Sequence, residues 1–369
     1  MNICLIGDGL VSLTLAKTLV NNKIKVSMYY SGVKKTQSQN RTISISANNW
    51  DYLQNEVIKL NKKLAWEIND IEIYNEENRE EKILNFNKSR KKLFLIIKNN
   101  SLYEALDKSL KKSDYFKKIK IVDKSNFSKN IFKKNFDLII NCNPKNQISK
   151  KYFYNKIIKN YESTAYAGII NHSKIQNKKA VQIFTKYGPL AFLPISKSQT
   201  SIVFSIKNKS INNRTKISEA ELKKLILKNN QEYKISSVSN FENSKLKSKI
   251  LRNYYHNNIL AFGDMLHQIH PLAGQGFNMA IRDLKVLLNL IRERKNLGLP
   301  IDISLCETFE SRTKHLNFVF ASGNDFIYEF FNYDNFYIKP FSKKIFKYLN
   351  NNKLFNKLAI EYSDKGLFI

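Results

Sequence analysis

The sequence predicts an α/β protein, a parallel-sheet domain interrupted by a β-rich insertion and closed by C-terminal helices. Three observations carry that prediction. Residues 2–30 read as a strand, a glycine turn, a helix and a second strand. A further strand leads through a glycine-dense turn into an amphipathic helix at 260–291. Between the two, about 150–250, short alternating strands separated by turns replace that rhythm, as in a sheet with one buried face.

The opening unit begins with the apolar run NICLIGD at 2–8. Gly7, Gly9 and Ser12 follow with the spacing GxGxxS, a helix is expected over 11–20 and a strand over 25–30. In a β-α-β unit such glycines allow a tight turn and let a pyrophosphate reach the helix N-terminus. Two positions depart from that pattern. Ser12 stands where a third glycine gives close helix–strand packing, and its small side chain is tolerable there. Tyr30 ends the second strand, where a carboxylate usually holds ribose hydroxyls. Adenosine is therefore expected to bind more weakly or in a different arrangement.

Arg41 then leads an alternating segment, RTISIS at 41–46, and a helix is expected at about 49–60. Strands are expected at 68–74 and 83–86, joined by an acidic turn with Glu76, Glu77, Glu80 and Glu81, and again at 93–97. Ser101, with Glu104 three residues on, reads as a capping box for a helix over 102–110. Another strand, FDLIINC, lies at 136–142. The middle portion alternates weakly at 165–170, then shows strands at 181–185, 190–194 and 201–206. A helix at 219–230 and an extended stretch at 234–246 follow. Residues 305–331 read as a helix. These boundaries give a first nucleotide-domain part over 1–150, with a small strand insertion at about 67–97, and a β-rich substrate domain over 151–255. The second nucleotide-domain part covers 256–300 and a C-terminal helical region 301–369.

The densest signal is LAFGDMLHQIHPLAGQGFN at 260–278. Gly263, Gly274 and Gly276 bracket Asp264, His267, His270 and Pro271. Phe277, Ala280, Ile281, Leu284, Leu287, Leu288 and Ile291 then fall on one helical stripe. A helix that opens behind a glycine-rich loop can receive an anion or an electron-rich ring edge.

Composition excludes several classes. The 369 residues are 43% hydrophobic and 12% aromatic, which supports a sizeable core rather than disorder. The net charge is +31, from 62 basic and 31 acidic residues, but the bases are nearly all Lys and spread evenly. No zinc-finger spacing and no compact Arg-rich helix occurs, so nucleic-acid binding is not expected, while attraction to anionic lipid stays open. Cys4, Cys142 and Cys306 are far apart and suit a reducing, cytoplasmic setting. An apolar strand directly after Met1 leaves no signal peptide to expect, and no 18-residue apolar run predicts a spanning helix. His267 and His270 lack the further ligands of a zinc site, so no metal is expected. The tail at 341–360 pairs Phe341, Ile345, Phe346, Leu349, Leu354, Phe355 and Leu358 with lysines. It reads either as a helix capping the core or as a surface for membrane or an oily substrate.

These residues resemble the FAD-dependent aromatic-ring monooxygenases of the ubiquinone-biosynthesis branch, which share the p-hydroxybenzoate-hydroxylase fold. The resemblance spans nearly the whole chain. Gly263-Asp264, His267 and the run from His270 to Asn278 match the family's G-D-x-x-H-x-x-H-P-x-x-G-Q-G-x-N signature, and Asp283 its following helix Asp. The segment GPLAFLP at Gly188–Pro194 matches a G-P-x-A-x-L-P segment of the quinone branch. The resemblance implies a Rossmann-like FAD-binding domain with an inserted β-rich substrate domain that roofs the active site. It implies that Gly7, Gly9 and Ser12 face the FAD pyrophosphate with Arg41 near it. Gly263 and Asp264 would hold the ribityl and pyrophosphate portion, and Pro271 would lie beside the isoalloxazine. Gly274, Gln275, Gly276, Phe277 and Asn278 would approach the pyrimidine edge with backbone donors. Pro271, Gly274 and Gln275 would thus make the flavin-ring environment, with no side-chain nucleophile. NADH or NADPH, O2 and a hydrophobic prenylated phenol are the implied co-substrates and substrate. Contact with a quinone-synthesis protein complex or peripheral attachment to the inner membrane is implied as well.

Cys142 and Asn143 stand where the family usually has an Asp-Gly pair. Two other readings therefore stay open at this point: a flavin-binding oxidoreductase of other specificity, and a non-catalytic subunit of a quinone-synthesis assembly.

Overall fold

A computed structural model describes residues 1–32, 40–76, 78–87, 92–123, 126–211, 217–230, 232–271, 274–332 and 352. The opening unit folds as its pattern requires, into β1 (Asn2–Ile6), α1 (Leu10–Asn21) and β2 (Lys25–Tyr30). Next come β3 (Thr42–Ser46), α2 (Ala47–Tyr52), β4 (Ala65–Ile68), β5 (Asp70–Asn75), β6 (Asn78–Asn87), β7 (Phe94–Lys98) and α3 (Asn99–Leu110). The first portion ends with β8 (Phe116–Lys120), α4 (Phe127–Phe132), β9 (Leu138–Asn141) and α5 (Gln147–Tyr152). The middle holds β10 (Lys156–His172), β11 (Lys179–Thr185), β12 (Gly188–Pro194), β13 (Gln199–Lys207), α6 (Glu219–Asn229), β14 (Ile235–Val238) and β15 (Glu242–Leu251). The chain then runs through β16 (Tyr255–His256), β17 (Ile259–Ala261), a 3-10 turn at Gly263–Met265, β18 (His267–Gln268), α7 (Gln275–Asn296) and α8 (Ile303–Asn332).

One sheet has the order β16-β17-β9-β1-β2-β8, and from β17 to β8 every pairing is parallel. Ile3, Leu5, Ile6, Leu138 and Ile140 are fully buried, as a parallel sheet covered on both faces demands. Ile6 and Ala261 both lie opposite Asn141. The loops after β1, β9 and β17 therefore leave the sheet side by side at its carboxyl edge, where open α/β sheets bind ligands.

A second, larger sheet runs β18-β15-β10-β13-β12-β11-β5-β6, with β14 also on β10. Tyr166, Leu190, Phe192, Ile202 and Phe204 form its core against Leu222 and Ile226 of α6. A third sheet, β3-β7-β4, stands beside the first. Strand β18 is the edge strand of the large sheet, with His267 opposite Ile250. The stretch 260–278 thus leaves the parallel sheet, touches the large sheet and returns as α7. Helix α8 closes the assembly. Its Phe309 is fully buried and lies 6.1 Å from Phe262, centroid to centroid, so Phe309→Ala would cost about 3–5 kcal/mol.

Several local expectations are corrected. The run at 68–74 is two strands, because β4 pairs with β7 while β5 pairs with β6 and β11. Ser101 caps nothing: α3 begins at Asn99, straight out of β7, with Lys98 at its N-cap and no side-chain cap bond. The capping box lies instead at α6, between Ser218 and Glu221. The weak alternation at 165–170 is part of the 17-residue β10. The lysine-rich segment at 341–360 lies outside the described residues except for Asn352.

Candidate functional site

Three loops meet at the carboxyl edge of the parallel sheet. In the first, Gly7 has φ +113° and donates its N–H to the Tyr29 carbonyl at 2.8 Å. A Cβ there would sit 3.4 Å from Asn143 Cβ. Gly9 is the N-cap of α1, and a Cβ on it would meet nothing within 4 Å. Ser12 is buried in α1 and hydrogen-bonded to Cys142, in the loop after β9. Burial pushes the Cys142 thiol up to about 12, Ser12 opposes the shift and Asp264 adds to it. The thiol is therefore a packed, protonated group rather than a reactive one. Asp264 is exposed on the one-turn helix after β17. Gly263 precedes it at φ +63°, and a Cβ there would lie 2.7 Å from Val11 Cγ1, so this turn closes on α1 only through a glycine. The structure thus brings Gly7, Gly9, Ser12, Gly263 and Asp264 together. Arg41 is exposed just before β3, and its carbonyl accepts from the Asn99 N–H at 3.0 Å.

The second half of the site is the start of α7. Gly274 is its N-cap, with no side-chain cap bond and no acid in the first turn. Helix α1 has the same bare beginning. Two helices therefore present first-turn N–H groups and partial positive charge without an internal partner for them. Pro271 is exposed before this turn and Gly276 within it. Gln275 is buried, and its amide nitrogen and oxygen have no hydrogen-bond partner among the described residues. A buried primary amide left open costs about 1–3 kcal/mol, so this one is set for a polar ligand edge. A planar group with both donors and acceptors fits it, and a pyrophosphate fits the bare helix starts. The residues present thus suit a flavin dinucleotide.

The Asn278 side chain is bonded within the protein. Its Oδ1 accepts from the Ser46 N–H at 2.9 Å and from Asn49 Nδ2 at 3.0 Å. Its Nδ2 donates to the Ser44 carbonyl at 2.9 Å and the Gly274 carbonyl at 3.3 Å. The side chain clamps β3 to α7 and has no bonding capacity left. Phe277 is half-buried against the main core.

Behind the loop, His267 Nε2 meets Asp283 Oδ2 at 2.6 Å, and Asp283 Oδ1 accepts from Asn317 at 2.9 Å. His270 is packed between Tyr161 and Tyr328, with ring centroids 4.9 and 4.2 Å away. Burial pushes its imidazole down to about 3. Tyr161 donates to Asp325, and Ser163 Oγ and the Tyr328 hydroxyl are 3.0 Å apart. Sequence reasoning missed Ser46, Asn49, Asn317, Tyr161 and Tyr328. Each acts through contacts over more than 30 residues, and no local spacing signals them. Among the described residues, no group of three or more His, Cys, Asp or Glu could hold a metal ion. Nor is any helix among them long and apolar enough to cross a membrane.

Comparison with known proteins agrees with this geometry. The FAD binding domain family matches residues 154–294. The 3-demethoxyubiquinol 3-hydroxylase of Escherichia coli is 28% identical over 150 residues, 40% of this chain and 38% of that protein. The ubiquinone hydroxylase UbiL of Rhodospirillum rubrum is 25% identical over 179 residues, 47% of this chain and 41% of that protein. The matches thus span about two fifths of the length of these curated relatives. Among solved structures, the p-nitrophenol 4-monooxygenase PnpA of Pseudomonas putida superposes with a TM-score of 0.76 at 11% identity, covering 100% of this chain and 98% of its own. PqsL, a probable FAD-dependent monooxygenase of Pseudomonas aeruginosa, gives 0.71 at 13% identity over 90% and 96%. Residues 154–294 thus match the FAD binding domain family, part of the chain is similar in sequence to ubiquinone hydroxylases, and the whole is folded as the FAD-dependent monooxygenases are.

Proposed function

We propose that this protein hydroxylates the aromatic ring of a polyprenylated phenol in ubiquinone biosynthesis, using FAD, O2 and NADH or NADPH. The observation that carries the reading is the start of α7, where the open Gln275 amide lies beside an uncapped helix N-terminus and the exposed Pro271. The relatives named ubiquinone hydroxylases supply the substrate class.

The bound flavin would supply hydride acceptance from the nicotinamide and oxygen transfer to the ring. The protein's part is to bind, orient and polarise. Gly7, Gly9 and Ser12 would admit the pyrophosphate to the start of α1, with Arg41 offering a nearby positive charge. Gly263 and Asp264 would hold the ribityl portion from the neighbouring loop. Gln275 and the first N–H groups of α7, at Gly276 and Phe277, would donate to the flavin's pyrimidine edge and favour negative charge there. Gly274 and Asn278 would set the position of that helix start. Pro271 would stand against the ring system, and the large sheet would exclude water from above. Peripheral contact with a membrane or with a quinone-synthesis assembly would deliver so oily a substrate.

The test is the visible spectrum of the protein purified without added flavin, followed by anaerobic NADH or NADPH. Bound FAD that bleaches, and then hydroxylates a prenylated phenol in air, is the expected result. Bound FAD that neither nicotinamide reduces would point to another electron donor. Failure to take up any flavin on titration would overturn the reading and favour a structural role in an assembly.

A further inference from the structure

Strand β2 ends in Tyr30, so the usual carboxylate for the ribose is missing, yet its surroundings are not empty. Lys118, on the adjacent edge strand β8, holds its ammonium 5.2 Å from the Tyr30 ring centroid and 5.9 Å from that of Tyr103. The ammonium is fixed by Asp107 Oδ1 at 2.8 Å, and Asp107 also takes Lys111 at 2.6 Å. Tyr30, Tyr103 and Lys118 are all half-buried. Burial raises the Tyr103 phenol, and Asp8 in the glycine loop adds to that shift. The same Asp8 helps Asp107 and Tyr103 hold the proton on Lys118 against the effect of burial. This cluster therefore lies within electrostatic reach of the loop that carries Gly7 and Gly9. It also lies at the opposite end of the parallel sheet from β17 and Asp264. Four strand spacings separate β17 from β8, roughly 19 Å, a span for a dinucleotide rather than a mononucleotide.

Two aromatic faces with a fixed ammonium between them suit a flat base joined to a hydroxylated sugar. We propose that Tyr30, Tyr103 and Lys118 seat the adenosine end of FAD. The phenol rings offer stacking faces for adenine. Lys118, which keeps one N–H beyond those that Asp107 and the Tyr103 hydroxyl take, donates to a ribose oxygen, where a carboxylate would otherwise accept from the sugar. The inference rests on the FAD reading above and names which residues replace the missing acid.

Equilibrium dialysis of the full-length apoprotein against FAD, and separately against FMN, tests it. Lys118→Met and Tyr30→Leu should each weaken FAD on the order of tenfold, the scale of one lost base stack or its charged neighbour, and leave FMN affinity within about twofold. Tyr30→Phe, which keeps the ring, should retain FAD. An equal loss for FAD and FMN would mean damage to the fold and would overturn the assignment, as would unchanged FAD affinity in both variants. Wild-type protein that binds neither flavin would sink the FAD reading itself, a result distinguishable from the others.

Discussion

Asn278 and Ser46 are joined by a 2.9 Å bond from the Ser46 amide to Asn278 Oδ1, and both residues are fully buried. That bond is one of four that use the whole hydrogen-bonding capacity of the Asn278 side chain. It makes the position of α7 depend on β3. Asn278→Ala should destabilise the protein by about 2–4 kcal/mol, because it strands buried partners as well as losing bonds. Asn278→Asp should be no milder. It keeps both acceptors but turns a carboxylate oxygen towards the Ser44 and Gly274 carbonyls, which now receive donors. Denaturant unfolding of the three proteins checks the order. An aspartate variant as stable as wild type would show that the two carbonyl contacts carry no weight.

His267 and Asp283 form the second tie, from β18 to α7, and Asn317 extends it to α8. Asp283→Ala should cost about 1–3 kcal/mol, because it leaves His267 Nε2 and the Asn317 amide buried without their acceptor. Asp283→Asn retains the shape and should lose less. A double-mutant cycle between His267 and Asp283 should give a coupling above about 1 kcal/mol. A coupling near zero would mean that the two side chains contribute only packing.

The clamp and the tie also show what the sequence could convey. The glycine loops, β1, α1, β2 and α7 were legible because each rests on short-range spacing: an apolar run, a turn residue, a stripe. Strand β8 was not. Its residues FKKIK bury only Phe116, since an edge strand needs little apolar surface. The run at 68–74 looked like one strand because alternation records which face is buried and says nothing of which sheet a strand joins. Ser101 failed as a cap because β7 runs into α3 without a loop that would need one. In the site, the glycines stood out by their spacing, whereas a role for Asp264 came only from the resemblance. The saturation of Asn278 could not be named from spacing, since its partners Ser44, Ser46 and Asn49 lie more than 220 residues away.

His270 predicts how stability varies with pH. Burial between Tyr161 and Tyr328 pushes its imidazole from 6.5 down to about 3. The unfolded chain takes up this proton below pH 6.5, the folded chain only near pH 3. In that window the unfolded state binds more protons, so stability falls as the pH falls. From pH 7.5 to pH 5 this one residue should remove about 2 kcal/mol. His270→Phe keeps a ring against both tyrosines and should abolish that share of the loss. Unfolding midpoints of the two proteins at pH 7.5 and pH 5 measure the difference. Parallel pH profiles would mean that His270 is protonated in the fold or solvated by a route absent from these packing contacts.

Gly274 and Gly276 stand two residues apart and should answer substitution in opposite ways. Gly274 has φ +64°, and a Cβ there would come 2.8 Å from Ser44 Cβ. Gly274→Ala therefore combines left-handed strain with a clash against β3, and about 1–3 kcal/mol of stability should be lost. Gly276 lies in the helix itself, and a Cβ there would meet nothing within 4 Å. Gly276→Ala should leave the apoprotein as stable as wild type or firmer by up to about 1 kcal/mol, from helix propensity. If the flavin edge approaches the backbone of this turn, the same methyl group should displace it. The expected Gly276→Ala protein is thus well folded, with an undiminished melting temperature and a flavin affinity at least about tenfold weaker, the free-energy equivalent of about 1.4 kcal/mol. A Gly276→Ala protein that retains flavin at wild-type affinity would place the cofactor away from the first turn of α7, whatever the fate of Gly274→Ala.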